Sequence, residues 1–121
     1  MGYSISIWDG QTPSNRDDAY EIWKRVYGAG HPVIPPSPRI LGFMRMLSER
    51  WPDPLAEDAP FKRDFWQWDD AAGNLFDTEL RFGRDSEAEW ICRAAEREGL
   101  VFWDPQHDRW RAPFRARWEE A

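Results

Sequence analysis

Asp77 and Glu79 lie two residues apart in a stretch where Phe76, Thr78, Leu80 and Phe82 alternate with Asp77, Glu79 and Arg81. On a strand that spacing puts both carboxylates on one face, with α-carbons roughly 6.6 Å apart at ~3.3 Å per residue. Paired carboxylates near that separation suit an inverting glycosidase, and an exposed tryptophan beside them would stack on a sugar ring. A chain of 121 residues has little material for a deep cleft, which weighs against hydrolysis. The two histidines offer less. His31 stands beside Pro32 and His107 in a turn beside Asp108, and neither has a second ligand at metal-binding spacing. His107 and Asp108 are adjacent in sequence, so on a strand their side chains diverge. Cys92 has apolar helical neighbours and reads as a core thiol. Gly28-Ala29-Gly30 follows a helical pattern rather than a strand, the wrong order for a dinucleotide-binding turn. No cofactor and no metal are expected.

Trp110, Phe114 and Trp118 interleave with Arg109, Arg111, Arg115 and Arg117, a pattern that single-stranded nucleic acid binders use. The chain's net charge of −6 opposes it, and Pro113 interrupts the run. The better reading pairs these arginines with an acidic middle. Between Asp53 and Glu79 there are eight acids (Asp53, Glu57, Asp58, Asp64, Asp69, Asp70, Asp77, Glu79) against Lys62 and Arg63. Such a surface repels phosphate and steers a basic protein toward itself. Met1-Gly2 with Ser6 formally fits a myristoylation pattern, but the same residues are better used as a strand.

These groups need elements to hold them. Tyr3, Ile5 and Ile7 alternate with Ser4 and Ser6, a half-buried strand. Ser14 or Asn15 caps a helix whose Ala19, Ile22, Trp23, Val26 and Tyr27 form one apolar face, ended by Gly28 and Gly30. The Pro-rich run from His31 to Pro38 is an extended connector. Ser37-Pro38 starts a second helix carrying Ile40, Phe43, Met44, Leu47 and Trp51. Phe65-Trp66-Gln67-Trp68 reads as a strand, 71–74 as a turn and 75–82 as the returning strand of a hairpin. Ser86 with Glu89 has the spacing of a capping box before a helix that Gly99 ends. Leu100–Trp103 is a further strand, Arg109–Phe114 a short return, and the tail frays or forms a short helix.

The order β-α-α-β-β-α-β predicts a single α+β domain over residues 1–121. The expected architecture is a two-layer sandwich: an antiparallel sheet with helices on one face, a ferredoxin-like variant with an inserted helix. Its open face would carry Ser4, Ser6, Trp8, Asp77, Glu79 and Arg81. Hydrophobic residues make up 41% and charged residues 31% of the chain, the balance of a globular protein rather than a disordered one. No apolar run nears the ~20 residues a membrane helix needs, so no membrane association is expected. The first residues lack the pattern of a secretory leader, and one cysteine excludes an intrachain disulfide, so a cytoplasmic setting is expected. Nine tryptophans exceed what a core this size houses with every indole N–H paired, so some are expected at an interface.

Three segments carry a resemblance: Tyr3-Ser4-Ile5-Ser6-Ile7-Trp8-Asp9-Gly10, Pro35-Pro36-Ser37-Pro38-Arg39-Ile40, and Glu98 to Gln106 with Gly99-Leu100-Val101-Phe102-Trp103-Asp104-Pro105. Together they resemble a group of small acidic bacterial α+β proteins, similar in type to toxin immunity proteins. The resemblance implies a non-catalytic protein that occludes a cognate toxin. Asp64–Phe82 departs from the group's pattern, which makes it a candidate for partner specificity. The expected partner-binding residues are Trp66, Trp68 and Trp103 as apolar anchors, with Asp69, Asp70, Asp77 and Glu79 pairing with basic groups. The alternatives are a small carbohydrate-binding or glycoside-hydrolysing domain using Asp77 and Glu79, or a structural subunit of a bacterial assembly. No nucleic acid partner is expected, and the oligomeric state stays open.

Overall fold

Tyr3, Ile5 and Ile7 point to one side of Gly2–Trp8 (β1), while Ser4, Ser6 and Trp8 point to the other. The structure, a computed structural model, describes residues 2–29, 34–67, 70–107, 109–111 and 119–120. Arg16–Ala29 (α1) follows β1. Asn15 caps it, its Oδ1 accepting from the Asp18 N–H at 2.9 Å, and Asp17 and Asp18 sit in the first turn near the positive helix end. Pro38–Arg50 (α2) starts as expected: Ser37 Oγ accepts from the Ile40 N–H at 3.3 Å, and Pro38 takes the first helical position.

The rest of the chain completes the sheet. Ala71–Ala72 (β2) and Leu75–Arg81 (β3) form a hairpin across Gly73, whose φ of 55° needs a residue without a Cβ clash. Asp85–Arg97 (α3) leads to Val101–Asp104 (β4). A 3₁₀ turn at Pro105–His107 precedes Arg109–Arg111 (β5), which pairs with Glu119–Glu120 (β6). All pairings are antiparallel, in the order β2-β3-β1-β4-β5-β6.

The α+β class and the antiparallel sheet match the expectation; the single helical layer does not. One cluster packs α2 and α3 (Phe43, Leu47, Ile91, Ala95) on Tyr3, Ile5, Ile7, Phe76, Leu80 and Phe102. A second packs Ala19 and Ile22 of α1 on Trp8, Leu75, Val101, Trp103 and Trp110. The β1–β3 and β1–β4 registers pair Ile7 with Phe76 and Phe102, and Trp8 with Leu75 and Val101, so the clusters occupy opposite faces. Leaving the second set in water would forfeit roughly 1.5–3 kcal/mol for each large apolar side chain. That sum is why α1 crosses to the far side instead of joining α2 and α3.

Local corrections follow from the same packing. Residues 65–67 are a turn, not a strand: Asp64 Oδ1 accepts from the Trp66 N–H at 2.9 Å, and Phe65 is buried against Phe61 and Phe76. The hairpin's first arm is Ala71–Ala72, placed in the turn by sequence, and Phe61 bridges Leu80 instead. Ser86 is not a cap. α3 begins after Arg84, whose guanidinium binds Glu87 and the carbonyls of Glu57 and Asp58, tying the helix start to the 53–60 loop. Phe82, which the alternation groups with Phe76 and Leu80, lies past the strand end and is 60% exposed. Glu119–Glu120 pair with β5 as a strand, which corrects the expected frayed or helical tail at those two residues. His31, Pro32, Asp108, Pro113, Phe114, Arg115, Arg117 and Trp118 lie outside the described residues.

Candidate functional site

The register of β1 against β3 sets Ser6 opposite Asp77 and Ser4 opposite Glu79, while β4 sets Trp103 on the other flank of Ser6. Cross-strand neighbours on one face lie within side-chain reach, so Asp77, Ser6 and Trp103 form a row on the α1 side, with Ser4 and Glu79 one step along. Helix α1 covers the Trp8 end of this face and leaves the Ser4–Glu79 end open. Tyr20, Trp23 and Tyr27, at i, i+3 and i+7, line its edge. Tyr20 meets Trp103 edge-on, with ring centroids 4.6 Å apart at 86°, and Trp23 stacks on Tyr27 at 5.1 Å.

The result is a groove in two parts that meet at Ser4 and Asp77. One part, of about 240 Å³, is walled by Tyr20, Trp23 and Trp103 above Ser4, Ser6 and Asp77. The other, of about 310 Å³, is polar and lined by Ser4, Tyr27, Arg63, Asp77, Thr78 and Glu79. Asp77 is held at the junction. Ser6 Oγ donates to its Oδ1 at 3.2 Å and Trp23 Nε1 donates to its Oδ2 at 3.2 Å. Burial pushes its carboxyl above the usual carboxylate range, while these two hydrogen bonds and the Arg63 charge pull it back. Asp77 is therefore a carboxylate whose desolvation its neighbours only partly offset.

Among the expected site residues, Asp77 and Glu79 come together. Both line the polar part of the groove, where Glu79 Oε1 also pairs with Lys62 Nζ at 3.6 Å. Asp70 corrects the expectation of an exposed acid. It is buried, with Arg63 Nε and Nη2 donating to Oδ1 at 2.9 and 2.7 Å and Thr78 Oγ1 donating to Oδ2 at 2.7 Å. It ties Arg63 to Thr78 of β3. Trp103 is 2% exposed, packed between Trp8 and Tyr20, so it is a buried wall of the aromatic depression rather than a projecting side chain. Trp66 is 47% exposed, but its Nε1 donates to Ser48 Oγ on α2, the far side of the sheet from Asp77. Trp68 and Asp69 lie outside the described residues. The expected continuous acidic and indole surface is thus divided between two faces.

Sequence reading missed Tyr20, Trp23, Ser4 and Ser6 as site residues. The available signal was the 20/23/27 aromatic spacing, which lies rotated from the Ala19–Ile22–Val26 stripe. It also missed a second pair. Asp104 Oδ2 lies 2.6 Å from His107 Nδ1 and 3.5 Å from Arg109 Nε. The Asp-x-x-His spacing across a one-turn 3₁₀ helix makes that contact, a signal less conspicuous in the sequence than the adjacent His107-Asp108. The imidazole sits edge-on to Tyr3, on the α2–α3 side of the sheet and away from the groove. Burial and Asp104 push the Tyr3 hydroxyl up to about 12, so it stays neutral. Among the described residues no group of three or more His, Cys, Asp or Glu side chains could hold a metal, and no helix is long and apolar enough to cross a membrane. Compared with protein-family models, curated proteins and solved structures, the chain matches none.

Proposed function

We propose that this chain is a non-catalytic binding protein of the immunity type, which takes a basic protein partner in the groove between α1 and β3. The observation that carries the reading is Asp77: a partly desolvated carboxylate at the junction of an aromatic and a polar depression. A partner's cationic side chain would add a countercharge beside Asp77 to the more distant one of Arg63, and Tyr20, Trp23 and Tyr27 would supply apolar contact. The net charge of −6 supports the same polarity of partner, through steering. Both Asp77 oxygens accept hydrogen bonds, which suits holding a cation better than shuttling a proton. A cytoplasmic setting is proposed with it, supported by the one buried free thiol, Cys92. On the fold, we infer a ferredoxin-like relationship for four strands in the order β2-β3-β1-β4 with α2 and α3, α1 being the addition on the other face.

The test is an amide-resolved NMR titration of the full chain with an alternating lysine–arginine peptide at low and moderate salt. The reading expects shifts at Ser4, Tyr27, Asp77 and Glu79 that weaken with salt. Shifts confined to the 53–60 loop, or spread evenly over the surface, would refute it. One observation favours a second reading, a carbohydrate-binding domain: Asp77 and Glu79 line the same depression with Tyr27 on its wall. Oligosaccharides perturbing those residues at salt-independent affinity would select it.

A further inference from the structure

Among the described residues, the aromatic part of the groove has one charged lining group, Asp77. Tyr20 and Trp103 meet at 86° to form a corner, and the third wall, Trp23, is fixed in place by its own N–H bond to Asp77. Three aromatic walls around one carboxylate attract a cation through both ring quadrupoles and charge. An anion is repelled there, and a neutral polyol leaves the desolvated charge unanswered. The choice among cations follows from hydrogen bonding. A guanidinium binds a carboxylate best through its planar fork, two parallel N–H bonds in fixed geometry. Ser6 already donates to Oδ1 and Trp23 to Oδ2, which leaves one lone pair on each oxygen, so a planar fork must share the carboxylate with two fixed donors. An ammonium is a compact charge that needs only proximity and one remaining lone pair. The volume, about 240 Å³, lies below the ~300–1,000 Å³ of sites for whole drug-sized ligands and suits a single head group.

We propose that the cavity formed by Tyr20, Trp23, Trp103 and Asp77 takes an alkylammonium group, the side chain of a lysine presented by the basic partner. The proposal rests on the groove being the partner site and names the chemical group that enters it.

Three probes of matched size test it on the full chain: N-acetyl-lysine amide, N-acetyl-norleucine amide, which has the chain without the charge, and N-acetyl-arginine amide. Binding is followed by calorimetry and by the Trp23 indole N–H resonance. The lysine amide should bind at least tenfold tighter than either other probe and move the Trp23 signal. Asp77→Asn can still accept from Trp23 and donate to Ser6, so it keeps the hydrogen bonds and removes the charge. It should lower lysine-amide affinity about tenfold while leaving norleucine-amide affinity unchanged. Norleucine amide binding within twofold of lysine amide, or a Trp23 signal that does not move, overturns the proposal. Choline binding tighter than the lysine amide would assign the cavity to a free quaternary ammonium compound and overturn the lysine assignment. Preference for the arginine amide overturns it while leaving the basic-partner reading intact. If neither cationic amide binds and the mixed peptide maps elsewhere, both readings fall.

Discussion

Trp23→Phe keeps an aromatic ring at the groove wall and removes the N–H that holds Asp77 at 3.2 Å. A hydrogen bond to an ionised group contributes about 1.5–3 kcal/mol net. At this length, and with both residues only partly buried, the low end applies, about 1.5 kcal/mol. The smaller ring also loses packing, so the single variant alone does not isolate the bond. A cycle with Asp77→Ala does, because the packing loss occurs in both backgrounds and cancels. The expected coupling is about 1–1.5 kcal/mol at neutral pH, above the ~0.3–0.5 kcal/mol scatter of independent sites. Urea denaturation reads it. With a slope near 2 kcal/mol/M, the lost bond moves the midpoint by ~0.7 M. Acidification protonates Asp77 and leaves a neutral bond, so the coupling should shrink. A neutral-pH coupling below ~0.5 kcal/mol would refute the idea that Trp23 holds a charged Asp77.

The remaining predictions concern pH and packing. Because burial raises the Asp77 carboxyl in the folded state, that state binds more protons than the unfolded chain between the unfolded value, about 3.9, and the folded one. Stability from this group therefore falls as pH rises through that window; Asp77→Asn should gain on the wild type over the same interval in parallel denaturation series, and a constant difference would contradict the sign. Trp103→Ala should cost about 3–5 kcal/mol as a core truncation, whereas Trp66→Ala should cost under about 1 kcal/mol, both read from thermal and urea midpoints; equal losses would put Trp66 in the core after all.

Much of the frame was legible in the sequence because its signals are local. Ser37-Pro38 specified a helix start, and the Tyr3–Ile7 alternation specified both a strand and its inner face. The second helical face was harder to read, although Val101-Phe102-Trp103 carried the clue: an apolar run without alternation belongs to a strand covered on both sides. Taken as an ordinary strand, it left α1 on the wrong face and Asp77 in the open. The 65–68 segment misled for a different reason. Its aromatics fit a strand, but the Asp64 turn and the burial of Phe65 are tertiary choices that propensity does not register. Asp70 shows the limit of charge reading: its exposure depended on Arg63 and Thr78 folding back onto it. Indole pairing was likewise not additive. Trp8 and Trp23 find acceptors, while the Nε1 atoms of Trp51, Trp103 and Trp110 are buried with no hydrogen-bond partner among the described residues, and ring burial outweighs that cost.

Carbon-13 titration of the aspartate side-chain carboxyls, with Asp77 assigned through Asp77→Asn, addresses the groove most directly. The Asp77 signal should titrate above the ordinary aspartate range, and the Trp23 indole N–H should follow the same transition. An Asp77 that titrates like a free aspartate, with an indole signal indifferent to it, would mean that the carboxylate faces open water and that helix α1 forms no site with β3.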